Sequence, residues 1–216
     1  MQIDNIHTEQ LFDKAYGDRS PEFYSDLLAE IISLGRPGRI LDCGAGLGLF
    51  AELGHMWGLD ITGIEGSPYA VNQAKSRVNH LNMIVHDLGE PFPFANGVFC
   101  NIVLNQVVEH ISQARLDNVL KESLRILVEG GCIFIYSPSR KNIKEKSQLT
   151  HINMMSPSEL KQCLEGHGFK IVSCPNYGFW FKPDAGPLAR KISHRLLKIL
   201  PHDWLSATAN AIAIKG

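Results

Sequence analysis

Residues 39–50 read RILDCGAGLGLF. A short apolar run carries an acid, Asp42, and glycines follow at 44, 46 and 48. The run reads as a buried strand over about 39–43, and LFAELGHMWG after it as a helix that Gly54 weakens. Glycines at a strand–helix turn let something come very close to the backbone. In an open α/β sheet, ligands bind at the carboxyl ends of the strands, near the switch in strand order. This turn stands at such an end.

The same rhythm extends in both directions. Upstream, residues 22–34 place Phe23, Leu27, Leu28, Ile31 and Ile32 at helical spacing, and Gly35 and Pro37 end that helix. Downstream, Asp60–Ile64 is a second strand that stops at Glu65. Pro68 suits the first turn of a helix reaching about Val78. Met83–His86 is a third strand, ending at Asp87, and PFPFANG is a loop. Phe99–Leu104 is a fourth strand. Residues 113–128 form an amphipathic helix ended by EGG, and Cys132–Tyr136 is a fifth strand. Five apolar runs alternating with helices predict an α/β fold with a mostly parallel sheet covered on both faces. After Pro138, Ser156 and Glu159 form a capping box for a helix, Phe169–Cys174 is strand-like, and residues 208–214 read as a last strand.

The ligand must suit a carboxylate-rich crevice. Gly44, Gly46 and Gly48 give G-x-G-x-G rather than the dinucleotide G-x-G-x-x-G, and Asp42 beside them would repel a pyrophosphate. No Lys followed by Ser or Thr completes a phosphate loop. Glu65 ends the second strand, 23 positions after Asp42, where it can accept both hydroxyls of a ribose. Asp87 ends the third, where it can accept from an adenine amine.

Composition sets the bounds. The chain has 216 residues, 44% hydrophobic and 20% charged, with a formal net charge of −1. That suits one globular domain and gives no global pull toward nucleic acid or anionic membrane. Five cysteines without a C-x-x-C, a polar N-terminus and no apolar stretch of about 20 residues predict a reduced, cytoplasmic chain without a spanning helix.

The chain resembles the class I S-adenosylmethionine-dependent methyltransferases. The resemblance rests on LDCGAGLG, GIEGSP, HDLGEPFPF, FCNIVLNQVVEHI and ILVEGGCIFIYSPS, in the family's order, and covers roughly residues 35–175. It implies a Rossmann-like sheet of seven strands in order 3-2-1-4-5-7-6, with strand 7 antiparallel. It divides residues 1–216, one domain, into a helical cap (1–34), a cofactor-binding core (35–175), an insertion or lid (176–207) and a last strand (208–216). It implies S-adenosylmethionine as cofactor and S-adenosylhomocysteine as product. Gly44, Gly46 and Gly48 would admit the methionine moiety, and Asp42 would hold the loop and the amino group. Glu65 would bind the ribose, Asp87 and the backbone of Leu88 the adenine, and Asn105 would lie beside cofactor and substrate.

His110 and His151 are the candidate bases for an oxygen acceptor, with Tyr136 and Tyr16 as weaker rim residues. Relatives acting on small-RNA ends or quinone precursors bind a divalent metal through E-x-x-E-H and a later histidine. Here Gln106 replaces the first Glu before Glu109 and His110, a poorer ligand for a hard cation, so no metal is expected. An N-P-P-[YF] turn of nucleobase amine methyltransferases is replaced by Asn105-Gln106-Val107-Val108. The expected acceptor is therefore a small molecule, through oxygen, rather than nucleic acid. The alternatives are a metal-assisted enzyme and a non-catalytic cofactor-binding module. Residues 187–200 carry Leu188, Ile192, Leu196, Ile199 and Leu200 on one face and basic residues on the others. That pattern suits a docked surface helix, with peripheral membrane contact as the alternative.

Overall fold

The computed structural model describes residues 21–142, 145, 147–175, 203 and 206–216. The expected lid, its basic helix and the N-terminal twenty residues, Tyr16 among them, lie outside the described residues. Helix α1 (Pro21–Leu34) precedes strand β1 (Ile40–Cys43). Helix α2 (Leu49–Met56), strand β2 (Ile61–Glu65) and helix α3 (Pro68–Arg77) follow. Ser67 caps α3, its hydroxyl accepting from the Ala70 amide, with Pro68 in the first turn as expected. Strand β3 (Met83–Val85) leads through a loop to β4 (Phe99–Asn105) and a single 3-10 turn, Val108–His110. Helix α4 (Gln113–Ile126), strand β5 (Leu127–Tyr136), helix α5 (Pro157–Gly166), β6 (Phe169–Ser173) and β7 (Ala211–Lys215) complete the order.

The seven strands form one sheet in the order β3-β2-β1-β4-β5-β7-β6. Neighbours from β3 to β5 are parallel, and β7 runs antiparallel to both β5 and β6. Alternate residues of each strand face opposite layers. In β4, Ile102 and Leu104 join a core with Leu116 and Leu120 of α4 and Leu160 and Leu164 of α5. Val103 points the other way, into a core with Leu28 and Ile31 of α1, Phe50 of α2 and Val71 of α3. Both faces are therefore dry, which is why these strands read as near-continuous apolar runs.

Most boundaries fall within one or two residues of the reading of the sequence, and two differ by more. The EGG expected to end α4 lies inside β5, which starts at Leu127 and pairs with Phe99 before a register shift. Gly130 takes φ 69°, and a Cβ on Gly131 would lie 2.9 Å from both the Leu127 side chain and the Val128 carbonyl. These glycines bend a strand rather than stop a helix. The last strand starts at Ala211 rather than 208, after an isolated bridge between Pro138 and Thr208.

Candidate active site

The order of the sheet reverses between β1 and β4, and the loops after these two strands meet there. Gly44, Gly46 and Gly48 all have positive φ, 72°, 54° and 72°, a region where other residues are strained. A Cβ on Gly44 would lie 2.7 Å from Cγ2 of Val107, and one on Gly48 would lie 3.0 Å from Cβ of Ala74. These two glycines thus answer to the protein's own packing, which fixes where the loop stands. Val107 is buried by this contact and was not singled out in the sequence.

Glu65 anchors the loop from the neighbouring strand. Its Oε2 accepts from the Gly46 amide at 2.9 Å, and its Oε1 from the Ser67 amide at 2.9 Å. A carboxylate has about four acceptor positions, so each oxygen keeps capacity for a ribose hydroxyl. Asp42 is buried in β1, paired in register with Gly63 on one side and Val103 on the other. Burial, and then the Asp42 charge, pushes the adjacent Cys43 thiol well up, which removes it as a nucleophile.

Asn105 ends β4, and its Oδ1 is buried with no hydrogen-bond partner among the described residues. A buried amide oxygen of this kind calls for a donor from beyond the described residues. Gln106, next to it, has φ 59°, the one positive φ among the described non-glycine residues. Its amide donates to the Tyr136 carbonyl at 2.8 Å, which holds the strained turn in place. Tyr136 itself donates from Oη to Glu30 of α1 at 2.8 Å, so it braces the cap rather than facing a substrate.

Asp87 does not end the third strand as expected but lies two residues beyond β3, exposed, with a partner that local sequence does not mark. Arg115 of α4 grips it in bidentate fashion, Nη1 to Oδ1 at 2.8 Å and Nη2 to Oδ2 at 3.0 Å. Oδ1 also accepts from the Gly89 amide at 2.8 Å. Leu88 is buried and joins the core that Phe92 also enters. The residues expected around an adenine are thus held from α4.

The two histidines are brought together by backbone. The amides of Ile152 and Asn153 both donate to the Glu109 carbonyl, at 2.8 and 3.1 Å, and pin the stretch 147–155 onto the turn after β4. The rings of His110 and His151 then meet edge-on, with centroids 4.7 Å apart. His110 Nδ1 lies 3.2 Å from the Thr150 carbonyl, which can only accept, so Nδ1 carries the proton and Nε2 the lone pair of the neutral ring. The His151 side chain is only 3% exposed, with Nδ1 3.8 Å from Glu145. Neither that Nδ1 nor Nδ2 of Asn153 has a hydrogen-bond partner among the described residues. Glu109 is fully buried and accepts from the Ser137 hydroxyl at 3.0 Å. Ligand atoms of Glu109, His110 and His151 all lie within 4.8 Å of one another.

A methyltransferase-domain family profile matches residues 16–174. No curated protein matches the chain in sequence. Among solved structures, an S-adenosylmethionine-dependent methyltransferase from Archaeoglobus fulgidus superposes with a TM-score of 0.68 at 19% identity, over 95% of this chain and 99% of that one. Haemonchus contortus phosphoethanolamine N-methyltransferase 2, bound to S-adenosylmethionine, gives 0.72 at 16% identity, over 98% of this chain and 58% of that one. Geranyl diphosphate C-methyltransferase from Streptomyces coelicolor A3(2), with Mg²⁺, geranyl diphosphate and S-adenosylhomocysteine, gives 0.68 at 14%, over 99% and 88%. The sheet order and antiparallel β7 are those expected from the sequence motifs. By family profile, motif order and fold together, the chain belongs to the methyltransferase-domain family and is a class I S-adenosylmethionine-dependent methyltransferase.

Proposed function

We propose that this enzyme methylates an oxygen of a small molecule, with His110 as the base that receives the hydroxyl proton. The observation that carries this reading is the His110–His151 pair, 4.7 Å between centroids, just past the end of β4 and the Asn105 Oδ1 that has no partner among the described residues. S-adenosylmethionine supplies an electrophilic methyl carbon on a sulfonium. Glu65 holds the ribose hydroxyls, Asp87 and the Leu88 amide hold the adenine, and Asp42 with the glycine loop holds the amino-acid end. Asn105 stands between donor and acceptor. His110 Nε2 takes the proton as the new C–O bond forms and the C–S bond breaks. His151, behind it, keeps the imidazole in place. Alignment of this kind supplies up to about 7–11 kcal/mol of the barrier, and the base a further factor of about 10²–10⁴.

The small-molecule acceptor is supported by the near-neutral charge of the chain. Two of the solved relatives methylate small molecules by their printed names, one at nitrogen and one at carbon. Labelled methyl transfer into fractionated metabolites tests the reading. A methyl ether or ester whose formation drops sharply in His110→Gln is expected. A methylamine product, or full activity in that variant, defeats the oxygen-and-base assignment. Cofactor binding with no transfer into any fraction would instead favour a non-catalytic binding module.

A second reading has its own observation. The clustered Glu109, His110 and His151 offer three donors to a divalent cation, which would then polarise the acceptor oxygen. Gln106 in place of a fourth carboxylate weighs against it. Activity unchanged by chelation and by added Mg²⁺, Mn²⁺ or Zn²⁺ rejects this second reading.

A further inference from the structure

Away from the crevice, the end of α5 approaches the middle of α4. Cys163 and His167, one helical turn apart, stand opposite Asp117, and their ligand atoms all lie within 4.8 Å of one another. We propose that Asp117, Cys163 and His167 form a binding site for a zinc-like transition-metal ion that clips α5 to α4.

The hydrogen bonds of His167 carry the argument. Its Nδ1 lies 2.8 Å from the Cys163 carbonyl. A carbonyl cannot donate, so Nδ1 holds the ring proton, and Nε2 of the neutral imidazole presents a lone pair. That lone pair faces Asp117 Oδ1 at 3.4 Å. Two acceptors pointed at each other require a cation between them, either a proton or a metal. A backbone acceptor on the far nitrogen is the arrangement that orients metal-binding histidines. Nitrogen and oxygen ligands at about 2.0–2.1 Å from a tetrahedral zinc stand about 3.4 Å apart. The His167–Asp117 separation already has this value.

The third donor selects the metal. Cys163 Sγ is half-buried, 4.0 Å from Nδ1 of His167 and 3.9 Å from Nε2 of Gln113, which also donates to Asp117 at 2.8 Å. A sulfur, an imidazole and a carboxylate together suit zinc or cobalt rather than magnesium or calcium, which take oxygen ligands. With three protein donors, water completes the set. The Asp117 side chain is 49% exposed and that of His167 25%, so the ion has a path from solvent.

Cobalt(II) reports on sulfur ligation through a thiolate-to-metal charge-transfer band. Titration of the full chain with Co²⁺ is expected to give this band, saturating near one equivalent and displaced by Zn²⁺. Glu109, His110 and His151 contain no sulfur and cannot produce it. Cys163→Ser should abolish the band, and Asp117→Asn or His167→Gln should weaken Co²⁺ binding by about tenfold or more. As a measurement on the unaltered chain, Zn²⁺ should slow alkylation of Cys163, located by peptide mass spectrometry, by about tenfold or more. No thiolate band from folded protein, a band that persists in Cys163→Ser, or a Cys163 alkylation rate indifferent to Zn²⁺ overturns the site.

Discussion

The Gly46 amide donates to Glu65 Oε2 at 2.9 Å, tying the glycine loop of β1 to the tip of β2. One carboxylate therefore shapes the loop and, in the proposed cofactor site, would also hold the ribose. Replacing Glu65 by Ala would remove the ribose contacts and leaves the Gly46 and Ser67 amides without their acceptor. Hydrogen bonds to a charged group are worth about 1.5–3 kcal/mol each. Calorimetric titration should show S-adenosylmethionine bound at least about 100-fold more weakly by Glu65→Ala. Glu65→Gln, which keeps one oxygen acceptor, should fall between. Equal affinity in all three proteins would remove Glu65 from the cofactor site.

Gly44 and Val107 join the two sides of the switch point. Gly44→Ala places a methyl 2.7 Å from Val107 Cγ2 at φ 72°. Strain of both kinds should destabilise the fold by about 1–3 kcal/mol. Val107→Ala opens room but leaves the backbone strain. The double variant should thus be more stable than the sum of the single losses, with a coupling of about 0.5 kcal/mol or more. Urea denaturation of the four proteins measures this cycle, and strict additivity would show that the two loops do not press on each other.

The loop between Leu88 and Val98 hangs on Glu122. Its Oε2 accepts from the buried Phe92 amide at 2.7 Å, while Arg125, paired with it, donates to the Phe92 and Phe94 carbonyls. The Arg125 hydrogen bond, against an opposing effect of burial, lowers the Glu122 pKa below its ordinary 4.5. A carboxylate lowered in the folded state stabilises above the unfolded value, and the contribution fades as pH falls through the folded one. Stability should therefore drop from pH about 5 downward, and Glu122→Gln should flatten that limb while costing about 1–3 kcal/mol at neutral pH. Denaturant melts between pH about 6 and 3 check both. A variant with the same acid limb as the wild type would assign it to other carboxylates.

The strands were legible because both faces of the sheet are dry, so the Cys132–Tyr136 half of β5 is an unbroken apolar run and β4 is one interrupted by Asn101. Glu65 was legible for a similar reason: it is the last residue of a buried strand and its one charged residue. Val107 and Arg115 were not. Val107 matters only because the loop after β4 crosses to β1, and Arg115 only because α4 brings it back over β3, 28 residues from Asp87. Nothing in local periodicity marks contacts of that kind. Gln106 stands where a carboxylate ligand is missing from the motif, and nothing in the sequence marks the left-handed φ it takes in the turn. The proposed site at Asp117, Cys163 and His167 is hidden because Cys163 and His167, one turn apart, look like an ordinary helix end until α4 is packed beside them.

His110 and His151 should not be equivalent in catalysis. His151 is 3% exposed in its side chain and meets edge-on the ring of His110, whose Nδ1 is tied to the Thr150 carbonyl. In the proposed mechanism His110 Nε2, not His151, receives the proton of the acceptor. His110→Gln should lower kcat by about 10²–10⁴ with S-adenosylmethionine affinity unchanged, and should abolish the acid limb of the rate–pH profile. His151→Gln should retain that limb at a lower rate, because the base is present but poorly braced. His151→Phe, which preserves the edge-on ring contact seen at 4.7 Å, should recover part of the loss. Single-turnover rates across pH for the three variants separate the roles. If His151→Gln loses the acid limb while His110→Gln keeps it, the base is His151 and the order is reversed.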